Sequence, residues 1–239
     1  MLTTKRIHLL TNPRNLSTAL MYSFAQRSDT TIVDEPLYGY YLKESGANHP
    51  GRDEIINEMN TDGKTVIRNM ATQNFNQPVV FFKGMAHHIF GFEYEHLLAF
   101  TNIIYIRNPY QTIASFAKVV DNPTIETIGI LPQIRIFQFL KEKGKIPIIL
   151  DSGKLLENPP VILEKLCNKL EIPFEENMLS WKAGARPEDG IWAKYWYANV
   201  HKSTGFVKQK TSSRVLPKRL EPLYKACLPY YEELLEYAI

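Results

Sequence analysis

The chain has 239 residues with 28 basic and 25 acidic side chains, a formal charge of +3, which leaves no strongly basic field for wrapping long nucleic acid. Hydrophobic residues at 44%, aromatics at 12% and charges at 22% are ordinary values for a folded chain and exclude disorder as the dominant state. Apolar runs such as 103–106 and 146–150 stop far short of the roughly 20 residues that span a bilayer, and residues 1–10 are too short and too polar for a secretory leader.

In chain order, residues 6–11 form the first of five short apolar or β-branched runs that read as buried strands. A helical pattern over 16–26 leads to the second run, 30–34. The segment 44–53, rich in Gly, Pro, Asn and His, reads as a mobile loop. Residues 52–75 are helical with a break near Asp62-Gly63, before the third run, 78–83. A helical stretch 93–100 precedes the fourth, 102–107, and helices over 109–120 and 125–143 precede the fifth, 146–151. Past Asp151 the pattern is helical only: 160–170, then Leu220, Leu223, Cys227, Tyr231 and Leu234 at helical spacing, with Pro222 and Pro229 expected to kink or split that last helix.

This alternation predicts an α/β fold of three layers, a central parallel sheet of about five strands flanked by helices, with a helical carboxyl-terminal part. No linker or repeat divides it, so a single domain over 1–239 is expected, in a cytoplasmic chain that binds neither membrane nor nucleic acid. Cys167 and Cys227 lie in helical patterns without CxxC or Cys/His spacing; they read as buried apolar residues, and no metal site is expected.

The first strand runs through Thr11-Asn12-Pro13-Arg14-Asn15-Leu16 into a helix that opens with Ser17 and Thr18. In an open parallel sheet this turn is where backbone N–H groups and the helix N-terminus face an anion, here with Arg14 as a full charge. The string GxxxxGK[ST] is absent, and an ordinary capped helix with a surface arginine is the plainer alternative. The fourth strand ends in Arg107-Asn108-Pro109, an arginine at the carboxyl edge followed by an N-cap and a first-turn proline. Ser115 follows eight residues after Arg107 on the helix face of Gln111 and Thr112, placed to share an anion with it or simply to pack.

Together these two segments resemble the sulfotransferase family. The turn at 11–20 resembles its 5′-phosphosulfate loop, and Ile104-Tyr105-Ile106-Arg107-Asn108-Pro109 with Ser115-Phe116 resembles its 3′-phosphate motif. Arg14 stands for the usual Lys and Leu16 for the usual Gly, in a Pro-Arg-x-x-Ser-Thr form closest to bacterial sulfotransferase-like proteins. The resemblance implies a P-loop-type fold and a metal-free enzyme. It would bind 3′-phosphoadenosine 5′-phosphosulfate (PAPS) through Arg14, Asn15, Leu16, Ser17, Thr18, Arg107 and Ser115, and sulfate a hydroxyl or amine of a small-molecule or glycan-like acceptor. A nucleotide or metabolite kinase and a catalytically silent nucleotide-binding protein are the alternatives.

Such a transfer is mostly positioning and charge neutralisation, plus a base for the acceptor proton. Arg14 and Lys83, at the carboxyl end of the third strand where the family places a lysine, are the cations for the leaving phosphate. Glu35, closing the second strand, is the first choice of base; burial raises a carboxyl pKa toward working pH. His87 is the second and His88 the third, since cytosolic relatives carry a histidine two residues after that lysine, where this chain has Met85. Tyr38, Tyr40 and Tyr41 either line an acceptor pocket or belong to a helix core. Residues 201–220 hold six Lys or Arg and no acid, with an aromatic segment 191–197 before them. The family completes its 3′-phosphate site from such a loop, which nominates Lys202, although the usual Arg-Lys-Gly is absent.

Overall fold

The computed structural model describes residues 4–118, 120–207 and 215–239. The elements are β1 (Lys5–Thr11), α1 (Ser17–Phe24), β2 (Thr30–Asp34), α2 (Tyr38–Ser45), α3 (Arg52–Glu58), α4 (Gly63–Thr72), β3 (Val79–Met85), β4 (Thr101–Ile106), α5 (Pro109–Phe116), α6 (Ile125–Ile128), α7 (Ile130–Glu142), β5 (Ile148–Asp151), α8 (Ser152–Glu157), α9 (Pro159–Lys169), α10 (Ala193–Trp196) and α11 (Glu221–Leu235). All five strands pair in parallel in the order β2-β3-β1-β4-β5. The chain leaves β1 toward β2 and β3 on one flank, then crosses to β4 on the other. The reversal falls at the carboxyl ends of β1, β3 and β4, the edge where open parallel sheets hold ligands.

Strand side chains alternate between two cores. Ile7, Leu9, Phe81, Ile103 and Tyr105 pack with α1 and α9 on one face. Leu10, Val80, Phe82, Ile104 and Ile106 pack with α4, α5, α7 and α11 on the other. This is the three-layer, P-loop-type α/β fold expected, and both cysteines are free and buried within it, one in each core.

The elements depart from expectation where single residues override a pattern. The 125–143 pattern is two helices, because Gly129 takes a φ of 81° between α6 and α7. The stretch 93–100 is a 3₁₀ helix, Tyr94–Ala99, closed by the Asn102 carboxamide donating to Leu97 O at 2.8 Å and Phe100 O at 3.2 Å. The expected loop 44–53 shrinks to 46–51, since α2 ends through Gly46 (φ 68°) and α3 starts after Gly51 (φ 73°). Pro222 and Pro229 do not split α11: Pro222 occupies the first turn, where no backbone donor is needed, and Pro229 lies inside one continuous helix.

Gln133 of α7 ties the reversal together. Fully buried, it donates from Nε2 to Leu10 O at 3.1 Å and Tyr105 O at 2.9 Å, joining the last turns of β1 and β4. Gln133→Leu is expected to cost about 1–3 kcal/mol, because Leu10 O loses this buried donor and Tyr105 O keeps only that of Asn15. An unchanged urea midpoint would refute this.

Candidate active site

The turn after β1 is strained toward the sheet edge. Arg14 and Leu16 take φ values of 62° and 61°, in the left-handed region, at a cost of roughly 1–2 kcal/mol per residue. Leu16 thus adopts the conformation a glycine would supply. As N-cap it offers no side-chain acceptor to α1, so the first N–H groups of that helix are left for another partner. Asn15 is buried and donates from Nδ2 to Tyr105 O, anchoring the turn to β4. Asn12 Oδ1 and Asn15 Oδ1 are buried and meet no hydrogen-bond partner among the described residues.

Arg107, at the end of β4, is brought to this turn. It donates to Arg14 O, and its Nε and one terminal nitrogen lie 3.3 Å from Gln111 Oε1 one helical turn on. Asn108 caps α5 by accepting from Tyr110 N at 2.9 Å, with Pro109 at the first position. That start aims Ser115 back at the turn, where its Oγ accepts from Arg14 Nε at 3.2 Å. The two segments singled out separately in the sequence are therefore one constellation: Arg14, Arg107 and Ser115 beside the opening of α1.

Register places a second cluster one strand away. Asp34, last in β2, pairs with Lys83 of β3, and Glu35 N donates to Lys83 O at 2.7 Å. Lys83 is 1% exposed and Glu35 8%, so both charges are out of water. The ammonium donates to Asp34 Oδ1 at 3.1 Å, to Glu35 Oε1, and to the Tyr197 hydroxyl at 2.8 Å. Burial pulls Lys83 toward neutrality, but Asp34 and Glu35 together hold it well above the usual lysine range. Burial pushes Glu35 upward and Asp34 adds to this, against the pull of Lys83. One cation thus serves two carboxyls, and Glu35 is the one inclined to keep a proton. It also carries a φ of 39°, a strained backbone at the cluster.

His88 is buried between Tyr38 and Tyr41, with ring centroids at 4.9 and 4.7 Å, and its Nδ1 lies 3.9 Å from Glu35 Oε2. His87 stands beside the turn instead. A methyl group at Gly129 would lie 3.6 Å from both His87 Nδ1 and Asn12 Oδ1. Of the two, it is His88 that reaches Glu35. Tyr40 points away from them, its hydroxyl donating to Phe90 O at 2.7 Å, while Tyr38 bonds His49 Nδ1 at 2.8 Å.

Burial, then neighbouring histidines, push His8 down to about 3 and His87 to about 4, and burial drives His88 well below the ordinary range. Unfolded histidines titrate near 6.5, so the unfolded chain binds more protons from there downward. The stability these neutral rings contribute is complete above about pH 6.5 and is lost as pH falls through 4; Glu35, shifted upward, opposes them in part. Urea midpoints are expected to fall from pH 7 to pH 5, and a flat profile would sink this reading.

The carboxyl-terminal part closes over α1 and β2. Asp189 accepts from Tyr22 OH at 2.7 Å and lies 2.9 Å from His201 Nε2, and Gly190 N donates to Asp34 Oδ2 at 3.3 Å. Tyr197 and Trp192 are buried against the Lys83 cluster. Lys202 is exposed in the turn Val200–Lys202, and Lys208, Lys210 and Arg214 of the basic stretch lie outside the described residues. Asp34 and Tyr197 were not singled out as site residues in the sequence, although Asp34 adjoins Glu35 and Tyr197 lay in the flagged aromatic segment. Among the described residues no group of three His, Cys, Asp or Glu is placed to hold a metal ion, and no helix is long and apolar enough to cross a membrane.

Fold and site together define a three-layer α/β protein of P-loop type, with its arginines gathered where the sheet order reverses. The chain belongs to the sulfotransferase family: the family profile described as "Sulfotransferase domain" matches residues 5–238. Among solved structures it resembles the sulfotransferase domain of the Synechococcus PCC 7002 olefin synthase, with a TM-score of 0.61 and 18% identity over 99% of this chain and 96% of that one. A sulfotransferase from Alicyclobacillus acidocaldarius gives a TM-score of 0.60 and 9% identity over 99% and 98%. "Branched-chain-amino-acid aminotransferase-like protein 1" of Arabidopsis thaliana is 40% identical over 95% of this chain and 41% of its own length. The chain thus spans about two fifths of the curated relatives it matches, and their aminotransferase-like name describes those longer proteins.

Proposed function

We propose that this chain, acting as one domain over 1–239, transfers the sulfuryl group of PAPS to a hydroxyl or amine of a small-molecule or glycan-like acceptor. The observation that carries the reading is the joining of Arg14, Arg107 and Ser115 beside an uncapped helix start. Two guanidiniums, a hydroxyl and outward backbone N–H groups there suit a ligand with phosphates at two places. The turn 12–16 with Ser17 and Thr18 would hold the 5′-phosphosulfate, and Arg107 with Ser115 the 3′-phosphate, with Lys202 as a further cation for the nucleotide.

In the transfer, the acceptor oxygen or nitrogen bonds to sulfur while the bond from sulfur to the bridging oxygen breaks. The electron pair leaves with adenosine 3′,5′-bisphosphate, and the acceptor proton goes to Glu35. Arg14 and Lys83 stabilise the charge that grows on the leaving phosphate. Lys83 meets it by exchanging its bond to Glu35, which frees the carboxylate to take the proton. No metal enters this scheme.

Adenosine 3′,5′-bisphosphate is therefore expected to raise the melting temperature without magnesium, and much more than AMP does. Arg107→Ala and Ser115→Ala should each erase most of the difference. Equal shifts from the two nucleotides, or stabilisation by ATP that requires magnesium, would replace this reading with a kinase-like one.

A further inference from the structure

Two adjacent carboxyls on one buried ammonium pose a question that the assignment of Glu35 as base leaves open: what makes Glu35, and not Asp34, the group that exchanges protons? The hydrogen bonds answer it. Asp34 is held on both oxygens, by Lys83 on Oδ1 at 3.1 Å, and on Oδ2 by Tyr197 OH at 2.7 Å and Gly190 N at 3.3 Å. Glu35 has the Lys83 bond on Oε1, and His88 Nδ1 stands 3.9 Å from Oε2. The Tyr197 oxygen accepts from Lys83 at 2.8 Å and from Trp192 Nε1 at 3.3 Å, so its single proton is committed to Asp34.

We propose that Tyr197 is a positioning residue that fixes Asp34 as the ionised partner of Lys83 and thereby leaves Glu35 as the carboxyl that takes and releases the proton. The inference deepens the reading of Glu35 as base and rests on it for its catalytic meaning. Its physical content is a difference in donors. Three donors stabilise the charged form of Asp34 and one stabilises that of Glu35, and two like charges on one cation resist ionising together. Burial and Asp34 hold Tyr197 far above the ordinary tyrosine range, so its hydroxyl remains a donor across the working pH. The other groups facing the pair leave this order intact. Tyr22 of α1 faces Asp34 and Tyr38 of α2 faces Glu35 as neutral phenols raised by burial, and His88 is neutral. Because Tyr197 lies 163 positions from Asp34, the arrangement exists only with the segment carrying Gly190, Trp192 and Tyr197 docked on the sheet edge.

The test needs no acceptor. Carbon-13 labelling of Asp and Glu side-chain carboxyls, and of the tyrosine ring carbon that bears the hydroxyl, follows each group in the full chain against pH. In the unaltered protein Glu35 is expected to titrate alone above the ordinary carboxyl range while Asp34 stays ionised and the Tyr197 ring carbon stays nearly still. In Tyr197→Phe the two carboxyls should titrate together, and full ionisation of the pair should move up by about one pH unit, the size of one lost hydrogen bond to a charged group. Titration of Asp34 in place of Glu35, with the Tyr197 carbon moving alongside, would overturn the proposal even if the variant did not fold. Identical curves in the two proteins would overturn it as well. Failure of adenosine 3′,5′-bisphosphate to bind would instead count against the proposed reaction and leave these titrations standing.

Discussion

Replacing Lys83 by Met is expected to lower folding stability at pH 7 by about 3–5 kcal/mol, the cost of leaving buried charge without its partner. Methionine matches lysine out to the ε position and lacks only the terminal nitrogen, so the loss reports the ammonium and little else. Asp34 and Glu35 would face each other in a site that excludes water, and at least one would have to bind a proton for the chain to fold. The deficit should therefore shrink as pH falls toward the ordinary carboxyl range, where both are protonated in the unfolded chain too. In the unaltered protein the sign is opposite at the alkaline end. Lys83 is held above its unfolded value, so its contribution is complete below about pH 10.4 and is lost as pH rises beyond that. Urea unfolding of the variant at pH 5 and 7, and of the unaltered protein at pH 9 and at about pH 11, separates these cases. A Lys83→Met protein as stable as the parent at pH 7 would mean that the cluster is solvated in solution.

The sheet was legible because its strands are buried on both faces and therefore read as continuous apolar runs. The runs at 6–11 and 30–34 fall within a residue of β1 and β2. Helix boundaries were less legible, because each is set by one residue's backbone. Gly129 at φ 81° divides a pattern that hydrophobic spacing joins, and nothing in the periodicity of 125–143 marks it. The prolines of α11 misled in the other direction. Packing of Cys227, Tyr231 and Leu234 holds the helix together across Pro229, at a position where propensity alone argues for a break.

In the site, Glu35, Lys83 and Arg107 were nominated because each sits at the carboxyl end of a strand, Arg14 because it lies in the turn between β1 and α1, and Ser115 because it stands eight residues after Arg107 in the helix that follows β4, placements that sequence order fixes. What sequence could not supply was the pairing. Asp34 reads as one more acidic residue until its register with Lys83 is known, and Tyr197 reads as core until the carboxyl-terminal segment is seen to dock. The histidines show the same limit. Adjacent in sequence and with their rings in edge-to-face contact at 4.7 Å, His87 and His88 still face different neighbours, one beside Gly129 and the turn after β1 and the other between two tyrosines near Glu35.

Glu35→Gln is expected to preserve adenosine 3′,5′-bisphosphate binding while lowering turnover by roughly 10²- to 10⁴-fold, the range for removal of a general base. The carboxamide keeps an oxygen for Lys83 and leaves Asp34 as the single counter-charge, so the fold should hold and the deficit should lie in kcat, not in the nucleotide affinity. Turnover is read as release of adenosine 3′,5′-bisphosphate from PAPS with an acceptor found in a panel of phenols, alcohols and amines. His87→Ala is expected to cost less, because its ring stands at the turn and is held neutral by burial with a pKa of about 4. His88→Ala provides the sharper control. That ring packs against Tyr38 and Tyr41 near Glu35, so its loss should disturb stability and acceptor affinity without removing the base. If His87→Ala abolished turnover while Glu35→Gln stayed near the parent rate, proton transfer would run beside the phosphate loop. The buried Asp34, Glu35 and Lys83 cluster would then be a structural clamp on β2 and β3 and not the reacting centre.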